Sequence, residues 1–129
     1  MTVAPGDRAL FLRRVLRKRC PQCGEGPLFR GFARLNLGCA LCGLVFRRES
    51  GSQTGSMYLS AAVSEVFAAA VALALFFLTP WSFAVELALG IAFVLAFSYA
   101  FLPLSIALWT AVEYLVDVSN GESWTSPRR

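Results

Sequence analysis

The sequence predicts a membrane all-α fold, a transmembrane hairpin of two helices with a further helix at the membrane surface, carrying a small N-terminal β module built on cysteines. Three observations predict it. Residues 66–85 and 87–112 contain no charged side chain, and apolar runs of about 18 residues or more read as membrane spans. All four cysteines fall in two C-x-x-C-G pairs separated by fifteen residues, between Cys20 and Gly43. Basic residues gather ahead of the first apolar run: residues 1–56 hold ten of the twelve Lys and Arg, against Asp7, Glu25 and Glu49.

Composition agrees with this placement. The chain has 129 residues, 57% hydrophobic and 16% charged, and a mean hydropathy of +0.59, whereas a soluble domain carries about 25% charged residues. Basic segments beside a span stay in the cytoplasm, and two spans return the C-terminus to the same side. A secretory signal needs an unbroken apolar stretch behind its positive charges. "ALFLRRVLRKRC" is broken by arginines, so the first span is expected to act as an uncleaved one. A net charge of +7 over residues 1–56 would suit nucleic acid. Topology and anionic headgroups account for it without nucleic acid, so the expected partner is the lipid bilayer.

Residues 1–19 are a basic lead-in. Within them "DRALFLRRVLRKR" places Ala9, Leu12, Val15 and Leu16 at helical spacing, with Arg13, Arg14, Arg17 and Lys18 on other faces. Such a helix lies in the headgroup plane or packs on the module that follows, and both readings stay open here.

Residues 20–49 form the cysteine module. C-x2-C-x15-C-x2-C is the spacing of a four-thiolate metal site, with Cys20, Cys23, Cys39 and Cys42 as ligands. Each C-x-x-C turn brings two sulfurs near one point. Gly24 and Gly43 follow each pair, where the chain turns sharply and needs positive φ. "LFRGFARLN" and "GLVFRRE" are expected to pair as short strands of a zinc ribbon over a core of Phe29, Phe32, Leu41, Leu44 and Phe46. A module of some 30 residues buries too little to be stable unaided, and a structural Zn2+ contributes about 10–16 kcal/mol of apparent binding energy. Iron is the alternative, since rubredoxins use similar paired turns. Disulfides require an oxidising compartment. Four protein ligands fill the zinc shell, so the site is expected to be structural.

Residues 50–56, "SGSQTGS", read as a flexible linker. Residues 57–78 are the first span, about 33 Å long as a helix. Glu65 lies inside it; ten strongly apolar residues at roughly −0.3 to −0.6 kcal/mol each outweigh an acid costing about 2.5–3.5 kcal/mol. Ionisable groups within spans are functional candidates. A proton or partner contact inside a homo-oligomer is one reading of Glu65, and a protonated side chain bonded to a neighbouring helix's serine is the plainer one. Ala61, Ala62, Ala68, Ala69 and Ala72 offer a small-residue surface for close helix packing. "TPW" makes a tight turn, and residues 81–102 form the second span with Glu86 near its outer end. One straight helix over 81–116 would be about 54 Å long, so a bend is expected at Pro103. Residues 104–117 are then an interfacial helix with Thr110, Glu113 and Asp117 on one side, a tilted continuation of the span being the alternative. Residues 118–129 are expected to be a disordered tail.

"RCPQCGEGPLFRGFARLNLGCALCGLVF", followed by a linker, two spans and a Pro-Leu segment, resembles the bacterial family catalogued as domain of unknown function 983, over about residues 18–115. "RCPQCGEGPLFRGF" is the most specific part. The resemblance implies a two-span inner-membrane protein with zinc-ribbon cysteines at Cys20, Cys23, Cys39 and Cys42, and no established biochemical activity. It also implies relatives beside genes for haem-copper oxidase subunits and their assembly factors in some proteobacteria. Basic residues often surround the Pro-Leu segment in that family, whereas Leu102 and Ser105 flank it here.

No catalytic constellation is present. A chain without histidine has no histidine-based acid–base or nucleophile-activating pair. It also lacks a phosphate-cradling glycine loop and H-E-x-x-H. The expected function is therefore non-enzymatic: a docking or scaffold protein, or an assembly factor of a membrane complex. Electron transfer by iron at the same sulfurs and an oligomeric ion or proton pathway through Glu65 are the alternatives.

Overall fold

The computed structural model describes residues 5–47 and 51–121, with side chains from Leu10 onward. Three helices follow in order: α1, Pro5–Leu16; α2, Thr54–Leu78; α3, Phe83–Asn120. The cysteine module lies between α1 and α2.

Proline begins α1, where its missing N–H has no helical partner to lose. The helix stops at Leu16, its last spaced apolar residue and three residues before the end of the segment expected to be helical. Lys18 takes φ +56, and the N–H groups of Lys18 and Arg19 donate to Val15 O and Arg14 O at 2.8 and 3.0 Å. This is a Schellman ending with lysine in the left-handed position that glycine usually fills.

Both α2 and α3 are long and apolar enough to cross a membrane, about 38 and 57 Å by helical rise. Their mutual packing is aromatic and hydroxyl-based. Phe67 stacks on Phe97 at 3.9 Å between centroids, and Ser98 Oγ donates to Ser64 Oγ at 3.0 Å. The alanines expected to form the close-packing surface of α2 do so poorly: Ala61, Ala62, Ala69 and Ala72 are exposed. Large rings at Phe67 and Phe97 set the contact instead.

Helix α3 follows the alternative reading beyond Pro103, a continuation of the second span. Proline removes one N–H from the ladder, yet the helix continues to Asn120, so residues 104–117 prolong the second apolar helix. The two parts differ in burial. No residue of 83–102 is buried, while Pro103, Ser105, Ala107, Thr110, Ala111 and Asp117 all are. Here α3 packs on α1 and the module. Val15, Leu28, Leu44 and Phe46 share one core with Ala107 and Ala111, and Phe11 stacks on Tyr114 at 6.1 Å. Thr110 and Asp117, from the expected polar side, are covered. Gly121, at φ +72, closes α3. The tail therefore does not start at 118; its remainder, residues 122–129, lies outside the described residues, as do 1–4 of the lead-in and 48–50 at the end of the module and start of the linker.

Segment 51–56 is not a free linker either. Trp109 Nε1 donates to Ser52 O at 2.7 Å and to Glu113 Oε1 at 2.8 Å, and α2 has already begun at Thr54. A methyl group added at Gly55 would collide with the Trp109 ring. The indole thereby fastens the entrance of α2 to the extension of α3.

Candidate metal centre

Two turns of the same build carry the cysteines. In the first, Gly24 N–H donates to Cys20 O at 2.9 Å and Cys20 N–H to Gly26 O at 2.8 Å. In the second, Gly43 N–H donates to Cys39 O at 2.9 Å and Cys39 N–H to Leu44 O at 2.8 Å. Gly24 and Gly43 take φ +77 and +75, the left-handed conformation their positions predict. Arginines brace the first turn: Arg14 Nη1 donates to Gln22 O at 3.3 Å and Arg19 Nη1 to Glu25 O at 2.7 Å.

The expected β ribbon is absent among the described residues. Three isolated bridges stand in its place, Arg19 with Pro27, Phe29 with Leu35 and Gly38 with Val45. Each joins neighbouring stretches of chain, so "LFRGFARLN" folds back on itself instead of pairing with "GLVFRRE". The physical reason is local: the chain turns back between Phe29 and Leu35, inside the run that separates the cysteine pairs, and leaves stretches too short for a ladder. The expected core is likewise partly corrected. Leu44 and Phe46 are buried and Phe29 packs against them, but Leu41 is 65% exposed and Phe32 48%. Phe32 stacks on Tyr99 of α3 at 4.5 Å, outside the module's interior.

The four sulfurs converge as the spacing predicts, all within 4.8 Å of one another. Cys20 Sγ lies 3.6 Å from Cys42 Sγ, and Cys23 Sγ 3.6 Å from Cys39 Sγ. All four are free thiols, their sulfurs far beyond the disulfide length of about 2.05 Å. A tetrahedral ion with metal–sulfur bonds of about 2.3 Å needs sulfur–sulfur edges of about 3.8 Å, so the donor set fits such an ion.

The surroundings stage the thiols differently. Burial pushes the Cys20 thiol well above the ordinary range, against backbone N–H groups of Cys23 and Gln22. Burial raises Cys42 as well. Burial also acts on Cys23, but the N–H groups of Gly26 and Glu25 outweigh it and lower the thiol to about 7. Gly26 N–H sits 3.5 Å from Cys23 Sγ.

Three contributors escape a reading by spacing alone. Gly26 leaves no room for a side chain, because a Cβ there would strike Cys39 Sγ. Cys20 and Cys39 are buried with Val15 of α1 and with Ala107 and Ala111 of α3, so the centre is walled by elements remote in sequence. Trp109 joins the module's far boundary to the helices. The G-E-G-P run signals the first of these; nothing local signals the other two.

The polar residues of the apolar helices lie elsewhere. Glu65 is exposed on α2, where the serine beside it, Ser64, makes the interhelical bond. Glu86 is half-buried at the far turn, its Oε1 accepting from Thr79 Oγ1 at 3.1 Å while Leu75 O accepts from the same hydroxyl at 2.6 Å. Glu86 thus ties the hairpin turn. Neither belongs to the sulfur cluster.

No curated protein and no solved structure matches the chain. The model of one family matches residues 29–114, taking in the second cysteine turn, all of α2 and most of α3. With the paired cysteines and two apolar helices in their expected order, the chain belongs to the family described as Protein of unknown function (DUF983).

Proposed function

We propose that this protein is a non-enzymatic, two-span inner-membrane protein that displays a zinc-stabilised module on the cytoplasmic side as a docking platform for assembling a membrane complex. The single observation that carries this reading is the closed set of four sulfurs seated directly on the extension of a membrane-capable helix. Four thiolates leave no open coordination position for water or substrate. The ion therefore acts by holding a shape, and that shape is rigidly joined to the hairpin. Zinc is favoured over iron because a structural role is what a module of this size needs. Both termini are cytoplasmic in this reading, with the basic half inside. A respiratory oxidase is the complex that the family resemblance favours.

Metal analysis with a visible spectrum tests the metal. Colourless protein with one zinc per chain is expected; a coloured, redox-active iron centre would replace the docking role with electron transfer. Affinity capture after mild solubilisation tests the role. A membrane-protein partner should be captured by the wild type and lost with Cys20→Ser, and capture unaffected by that change would refute docking through the module.

A further inference from the structure

Beneath the module, where α2 begins and α3 leaves its unburied half, lies a pocket of about 370 Å3. Arg30, Arg34 and Arg47 line it together with Gln53. Met57, Leu102 and Ile106 supply an apolar wall from the two helices. Among the described residues no acidic side chain lines it.

We propose that this pocket binds the phosphodiester headgroup of an anionic phospholipid. Guanidinium groups pair with phosphate oxygens through two N–H donors each. The apolar wall decides the source of the phosphate. Met57 begins and Leu102 ends the stretches expected to span the membrane, residues 57–78 and 81–102, so a headgroup among the arginines leaves its acyl chains running along α2 and α3. A free phosphate would leave that wall unused. The lipid joins the module to the membrane through arginines that are otherwise exposed. This site rests on the reading of α2 and α3 as membrane spans.

Full-length protein reconstituted into phosphatidylcholine vesicles, with or without one-fifth phosphatidylglycerol, tests it. After mild detergent extraction, native mass spectrometry counts retained lipids. One phosphatidylglycerol per chain is expected, in preference to phosphatidylcholine. Each of Arg30→Gln, Arg34→Gln and Arg47→Gln should weaken that preference about fivefold, and the triple variant should abolish it while still holding one metal ion. Equal retention of both lipids by the wild type overturns the proposal, whether or not the triple variant folds. So does an undiminished preference in a triple variant that keeps its metal. Inorganic phosphate in pure phosphatidylcholine is the second arm: no thermal shift is expected, and a shift matching that of phosphatidylglycerol assigns the pocket to free phosphate instead. Carbonate extraction separates the two levels of failure. Release of the protein from the vesicles refutes the spans themselves, whereas retained protein with no lipid preference refutes only this site.

Discussion

Gly26 shows how narrowly one residue constrains the sulfur cluster. Its position admits no Cβ because Cys39 Sγ occupies that space, and its N–H points at Cys23 Sγ. Gly26→Ala should displace one sulfur and weaken metal binding about 10–100-fold, as loss of a ligand's supporting group does; titration against a competing chelator measures it. Only thiolates hold an ion, so acid that protonates them should release it and unfold the module; thiol labelling across pH measures the release. Lys18 offers a test in the opposite direction. A lysine at φ +56 costs about 1–2 kcal/mol relative to glycine, so Lys18→Gly should raise the module's stability by about 1 kcal/mol in chemical denaturation.

At the level of elements, α3 does two jobs that the sequence divides between two helices. Its first half is unburied and apolar, and its second half carries the module on Ala107 and Ala111. Small residues there let Val15, Leu28 and Phe46 approach closely, which a leucine at either alanine would prevent. Trp109 is the other fastening. It spans from α3 to Ser52 O across the start of α2, over the bare backbone of Gly55. Trp109→Ala should weaken docking by about 2–4 kcal/mol, combining lost ring packing with lost hydrogen bonds. Limited proteolysis within residues 51–53 should then accelerate. Gly55→Ala should act in the same direction, because the indole must move; unchanged proteolysis in both variants would contradict the clasp.

Across the whole molecule, an ion held by the four sulfurs would stabilise a different part from the hairpin. A strong chelator should unfold the module, which loses about 10–16 kcal/mol of apparent binding energy. Most helical signal should remain, since α2 and α3 need only each other and an apolar surrounding. Circular dichroism alongside thiol accessibility reads both, and a concerted loss of the helices would show that the ion holds more than the module. The division between sequence and tertiary structure follows the same physics. Local spacing was enough to mark the four cysteines, the left-handed Gly24 and Gly43, and both apolar helices, because each depends on residues within a turn or along one periodic run. It was not enough for the strands, because the β-favouring run 28–36 turns back on itself at Phe29 and Leu35. Nor did it decide between a separate helix after Pro103 and a continuation of the span: the continuation accompanies burial of Pro103, Ala107 and Ala111, the two alanines in one core with residues from α1 and the module. The sequence by itself determined what could bind an ion and what could enter a membrane. Only the tertiary structure decided how one is mounted on the other, since the core of Val15, Leu28, Phe46 and Ala107 exists only once segments some 90 residues apart meet, and no local pattern encodes that meeting.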